Sequence, residues 1–161
     1  MEKLSKQFKA EAFIAYFQSY SNTYAPVEKL KEIYDSVFFD EKIVSISIGT
    51  RPDCVDSEKL DLISTYKVPW MEYGLQSAHN ETLKWMNRGH DFECFKNAVI
   101  ETKKRGIKVC AHIILGFPNE TREMMLETAH KLAELEIDGI KIHQLTILAD
   151  SPLLKYYQDN G

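Results

Sequence analysis

Ile107-Lys-Val-Cys-Ala-His-Ile-Ile-Leu115, followed at once by Gly116, is an almost unbroken apolar run of strand length. Such a run is expected of a parallel strand covered on both faces. The flanks agree. Phe92 to Arg105 has helical periodicity and stops at Gly106, and Thr121 to Leu135 sets Met125, Leu126, Ala129, Leu132 and Ala133 along one side of an amphipathic helix. A further strand is expected over Ile140–Leu148, and Ser151-Pro152 opens a last helix in cap-then-proline order. Towards the N-terminus the alternation repeats. Strands are expected at Phe13–Gln18, Ile43–Ile48 and Trp70–Leu75, and helices at Val27–Phe39, Ser57–Tyr66 and from Asn80 to Met86. Five strand-then-helix units in 161 residues average about 32 residues each, the size of a βαβ repeat. Strict alternation implies a parallel sheet with right-handed crossovers. A closed eight-unit barrel takes about 250 residues, so the chain is either a doubly wound sheet or part of a barrel.

Composition excludes several classes. Hydrophobic residues make up 44% and charged residues 27%, ordinary for a globular domain and unlike disordered or collagen-like chains. A net charge of −4 gives no electrostatic footprint for general nucleic-acid binding. Cys54, Cys94 and Cys110 form no CxxC pair, and their odd number speaks for reduced thiols rather than a disulfide framework. The opening MEKLSKQFKAEAF lacks a signal-peptide core, and no apolar run approaches the roughly 18 residues of a membrane span. A cytoplasmic protein with no membrane attachment is expected.

In parallel α/β folds the chemistry lies beyond the carboxyl ends of the strands. Here those ends carry Gln18, Ser19 and Asn22, then Gly49 and Arg51, then Glu72, Gln76 and Ser77, then His112 and Gly116, then His143 and Gln144. Cap and turn duties account for Ser57, Asn80 and Ser151, but poorly for Gln18, Arg51, Gln76 and His112. A ligand-binding rim explains them better. There is no GxGxxG, GxxxxGK[ST], GxSxG or HExxH. His112 and His143 can converge, but a histidine on an apolar strand is more often a hydrogen-bonded core residue, so no metal ligands are assigned.

Gly74-Leu-Gln-Ser77, Leu83 and Asn87-Arg-Gly-His90 resemble the fourth-strand region of radical S-adenosylmethionine (SAM) enzymes. Within them the resemblance is to the branch of oxygen-independent coproporphyrinogen oxidase and the Elongator catalytic subunit. Thr50-Arg-Pro-Asp53 resembles the TRPD that ends a barrel strand in Elongator-type enzymes, and His112-Ile-Ile-Leu-Gly-Phe-Pro-Asn-Glu-Thr121 the family's fifth-strand motif. Tyr16-Phe-Gln-Ser-Tyr-Ser-Asn-Thr23 is most similar to the bacterial YhcC/YtqA-type branch. The motifs run in family order over nearly the whole chain.

The resemblance implies an α/β fold: a parallel-stranded partial TIM-type barrel, the five strands standing for strands two to six of a (β/α)6 barrel. It implies that Gln76 contacts the SAM ribose, and that Arg88, twelve positions on, forks onto the SAM carboxylate. Gln18, Ser19 and Asn22 would lie by the SAM amino group. Gly116 and the backbone near Leu145 would border the adenine. Arg51, Ser77 and His112 complete the candidate set. Family members bind a [4Fe–4S] cluster through three closely spaced cysteines after the first strand, and Cys54, Cys94 and Cys110 have neither that spacing nor that position. Residues 1–161 are therefore expected to be a radical SAM core domain lacking the first strand and cluster loop. On its own it is expected to be inactive and to hold neither SAM nor cluster; the full-length enzyme would cleave SAM reductively to a 5′-deoxyadenosyl radical. The substrate is not readable; analogy with the Elongator branch suggests tRNA. A strand edge left bare is expected to support a homodimer. The alternatives are a cluster-independent nucleotide-binding domain and a structural module.

Overall fold

The computed structural model describes residues 7–160. Strands β1 (Phe13–Phe17), β2 (Ile43–Thr50), β3 (Trp70–Gln76), β4 (Lys108–Leu115) and β5 (Gly139–Gln144) form one sheet in the order β1-β2-β3-β4-β5, every pairing parallel. Between and after them run α1 (Val27–Ser36), α2 (Ser57–Ser64), α3 (Asn80–Trp85), α4 (Phe92–Lys104), α5 (Arg122–Glu134) and α6 (Pro152–Asn160). Successive right-handed crossovers that always step the same way keep their helices on one face and curl the sheet towards a barrel. With no reversal in strand order, the doubly wound alternative falls and a half-barrel stands.

The core fills the space between the sheet and its helices. Ile46 and Ile48 of β2, Met71, Tyr73 and Leu75 of β3, and Val109, Ala111 and Ile113 of β4 meet Leu30 and Tyr34 of α1, Ile63 of α2, Phe95 and Val99 of α4, and Leu132 of α5. Each large apolar side chain so buried contributes about 1.5–3 kcal/mol. The two core tyrosines keep their hydroxyls satisfied, Tyr34 by donating to the Asn22 carbonyl at 2.9 Å and Tyr73 against Thr102 Oγ1 at 2.7 Å. Burial pushes both phenols above their ordinary range.

Strand β4 departs from the expectation of burial on both faces. Val109, Ala111 and Ile113 are buried, while Cys110, His112 and Ile114 between them are only half-buried. Helices cover one face alone, and the other lines the concavity. The helix starts follow local chemistry: Asp56 accepts from Lys59 N (2.9 Å), Asp91 from Cys94 N (2.8 Å) and Thr121 from Met124 N (3.3 Å). Asn80 is not a cap as expected. It begins α3, and its Oδ1 accepts from Phe92 N at 2.9 Å, tying α3 to α4. Strand β5 ends at Gln144 rather than Leu148.

Candidate functional site

The concave face holds a cavity of about 540 Å³ at the carboxyl ends of the strands. Of the ten candidate residues, Gln18, Ser19, Arg51, Gln76, Arg88 and His112 line it.

Its upper wall is built around Gly74. A Cβ there would run into the Arg88 guanidinium and stand 2.8 Å from Gln76 Nε2, so only glycine lets both side chains cross the strand. The ladder to β4 skips a residue between Gly74 and Gln76, and Gln76 itself has a left-handed backbone, φ +77°. That bulge aims its amide into the cavity, where it has no side-chain hydrogen bond among the described residues. Asn87 (φ +53°) and Gly89 (φ +81°) turn the chain sharply after α3. Arg88 then donates through Nη2 to the Gly74 carbonyl at 2.7 Å and through Nε to His90 Nε2 at 3.1 Å. Accepting at Nε2 leaves the His90 proton on Nδ1, facing the Asp91 carbonyl at 3.3 Å. Burial, aided by the Arg88 charge, holds the His90 imidazole below its usual value.

The two guanidiniums differ. Arg51 is committed to Asp53 through two hydrogen bonds, 2.8 and 2.5 Å. Arg88 is more buried and has no carboxylate partner among the described residues. Burial lowers its pKa, yet a guanidinium stays charged. It is the guanidinium of this wall whose charge no described carboxylate meets.

The loop after β1 forms the facing wall, with Ser19 (φ +67°) and Tyr20 (φ +62°) both left-handed. Asn22 braces that turn instead of lining the cavity: its Nδ2 donates to the Ser19 and Gly49 carbonyls at 3.1 and 2.8 Å. Ser77 is buried behind the rim, donating to Glu120 and accepting from His79 N at 3.0 Å. Gly116 and Leu145 border a separate, mainly apolar cavity of about 530 Å³ beside α6.

The floor holds residues outside the candidate set. Glu72 Oε2 accepts from Tyr16 Oη and lies against His112 Nε2, both at 2.7 Å, with Lys141 Nζ at 3.6 Å. Ser47 donates to Oε1 at 3.3 Å, and the His112 and His143 rings are 5.4 Å apart. Burial opposes the Glu72 charge, but these donors outweigh it and hold the carboxyl below its ordinary value. Burial pushes the His112 imidazole down, so at neutral pH it meets Glu72 as a neutral donor. The signal in the sequence was period two: Glu72, Gly74 and Gln76 alternate with buried Met71, Tyr73 and Leu75, as Lys141 and His143 alternate with Ile140 and Ile142.

The cysteines do not gather. Cys54 is buried in the short turn Pro52–Cys54, Cys94 lies on α4, and Cys110 faces the concavity from β4. Among the described residues, the one group of histidine, cysteine and acidic side chains close enough to share an ion is Glu72, Cys110 and His112. No described helix is long and apolar enough to cross a membrane.

Residues 6–132 match the family described as the radical SAM superfamily. Uncharacterized protein YtqA of Bacillus subtilis is 44% identical over 161 residues, covering 97% of this chain and 49% of that protein. Protein YhcC of Escherichia coli K12 is 41% identical, covering 93% and 50%. The chain thus spans about half the length of the curated relatives it matches. The archaeal Methanocaldococcus infernus Elp3 with an N-terminal deletion superposes with a TM-score of 0.84 at 21% identity, over 98% of this chain and 43% of that one.

Proposed function

The chain belongs to the radical SAM superfamily, and from that premise we propose that it forms the SAM-binding wall of a radical SAM enzyme. The observation that carries this is the Gly74 cradle: a glycine that lets a half-buried guanidinium with no described carboxylate partner and an amide with no described side-chain hydrogen bond converge on one cavity. A SAM molecule offers what these groups lack, a carboxylate for Arg88 and ribose hydroxyls for Gln76. Gln18 and Ser19 face them across the cavity, where the amino group would lie, and Asn22 sets their loop. Bound SAM supplies, on one-electron reduction, a carbon radical that abstracts hydrogen from a substrate. This chain's residues hold and orient that ligand, and the apolar cavity at Gly116 and Leu145 is proposed for the adenine side.

The three cysteines do not fit a [4Fe–4S] cluster, which needs converging thiolates. The cluster ligands are proposed to come from outside this sequence, which is why the isolated 161 residues are proposed to be catalytically silent. The substrate class in this reading is RNA, from the resemblance to the Elongator branch. Tyr20, 99% exposed at the cavity mouth, supports it with a face on which a base can stack. The outer edges of β1 and β5, unpaired among the described residues, and the exposed Ile140 and Ile142 on β5 support self-association or packing of further chain.

The test is calorimetric titration of the full-length protein, its cluster reconstituted, with SAM. Saturable one-site binding that Arg88→Ala weakens supports the reading. No binding at millimolar SAM, with a folded circular dichroism spectrum, rejects it.

A further inference from the structure

We propose that Glu72, Cys110 and His112 form a binding site for a borderline-soft divalent transition metal, of the zinc or cobalt class, on the cavity floor. The sheet register creates the site. Glu72 and Cys110 are direct partners across β3 and β4, and His112 is the next residue of β4 on the same face. Their ligand atoms lie within 4.8 Å of one another. Both strands belong to the hydrogen-bonded interior of the sheet, so the donors are positioned by rigid elements rather than by loops.

The donor set selects the metal. One carboxylate oxygen, one imidazole nitrogen and one thiolate sulfur suit zinc or cobalt, whereas magnesium and calcium take oxygen alone. Three protein ligands with a fourth position facing open cavity are the pattern of a reactive site, not of a closed structural one. The support around the ligands is present too: Ser47 donates to the other carboxylate oxygen of Glu72 at 3.3 Å.

Three adjustments are needed: burial holds the Cys110 thiol above its ordinary value, so the metal must displace its proton, and two neighbours must move. His112 Nε2 and Glu72 Oε2 are 2.7 Å apart, while ligand atoms bonded at about 2.0–2.1 Å round a tetrahedral ion stand roughly 3.3 Å apart. The pair opens by about half an ångström when the ion replaces the shared proton. Lys141 must also withdraw its ammonium from Glu72; its side chain is 44% exposed and has a path to water. The site lies on the floor of the cavity that the Gly74–Arg88 wall bounds, and the cobalt spectrum reads it without SAM present.

The probe is cobalt(II) added to the reduced chain. One equivalent is expected to give a near-ultraviolet thiolate-to-cobalt band with intense visible bands of a low-coordinate ion, both erased by zinc. Cys110→Ser should remove the near-ultraviolet band, while Cys54→Ser and Cys94→Ser keep it. His112→Gln should weaken cobalt binding at least about tenfold, the lower end of what loss of a mere supporting contact costs a metal site. Circular dichroism checks that each variant is folded. Absence of a stoichiometric thiolate band in the wild type overturns the proposal, as does a band that survives Cys110→Ser.

Discussion

Arg88 is held by the backbone of Gly74, its Nη2 donating to that carbonyl at 2.7 Å across fourteen residues of sequence. The anchor fixes the guanidinium without neutralising it, because a carbonyl carries no net charge. What remains is a preorganised cation aimed into the cavity.

If that cation meets the SAM carboxylate, Arg88→Ala removes a charge-assisted bond worth roughly 1.5–3 kcal/mol. SAM affinity should fall about 10- to 150-fold, and Arg88→Lys should restore little, since an ammonium lacks the fork. Titration calorimetry on both variants of the full-length, cluster-reconstituted protein decides it; unchanged affinity in Arg88→Ala would make this residue a purely structural brace.

Gly74→Ala tests the cradle without touching a charge. The added methyl would occupy the space of the guanidinium and crowd Gln76 Nε2, an overpacking that costs about 1–3 kcal/mol of stability. SAM binding is expected to weaken along with the melting temperature. A variant that loses stability but binds SAM as wild type would detach the glycine from the ligand.

Tyr73 and Thr102 share a buried hydroxyl pair at 2.7 Å. Tyr73→Phe alone leaves the threonine hydroxyl unpaired and should cost about 1–3 kcal/mol in denaturant unfolding, as should Thr102→Val alone. The double variant should cost less than the sum of the two. Strict additivity would show that the hydroxyls do not rely on each other.

His90 gives a pH dependence of definite sign. Its imidazole is held below the ordinary 6.5 by burial and by the Arg88 charge. Under pH 6.5 the unfolded chain takes up a proton that the folded chain refuses, so stability falls with acidity until the folded pKa is reached. His112 shifts the same way, so His90→Gln should flatten the profile only in part. Unfolding midpoints between pH 7.5 and 5.5 show it; equal slopes in variant and wild type would argue against a buried neutral His90.

The parallel α/β alternation was legible because strand and helix periods follow one another without a break, but that left a doubly wound sheet open. The half-barrel, and the choice of Gln76 and Arg88, came from the motif resemblance. The floor was less legible. Glu72 looked like one more polar strand end, and only the register shows that it meets Tyr16 from β1, His112 from β4 and Lys141 from β5. Such convergence is a property of pairing across the sheet, which local sequence does not encode. Strand β4 misled for a related reason: Cys110, His112 and Ile114 are compatible with a buried face, yet curvature leaves that face open. Ser77 follows Gln76 directly, but the bulge sends it to Glu120 behind the rim.

The left-handed backbone of Gln76 also bears on how this chain responds to selection. A residue with a side chain in that region carries a penalty of roughly 1–2 kcal/mol that glycine escapes. Libraries screened for heat tolerance should therefore drift to glycine at 76 and discard the amide, while screens for ligand retention should hold glutamine against that gradient. Robustness and recognition pull in opposite directions at this position, and a stabilised lineage risks losing its ligand before it loses its fold.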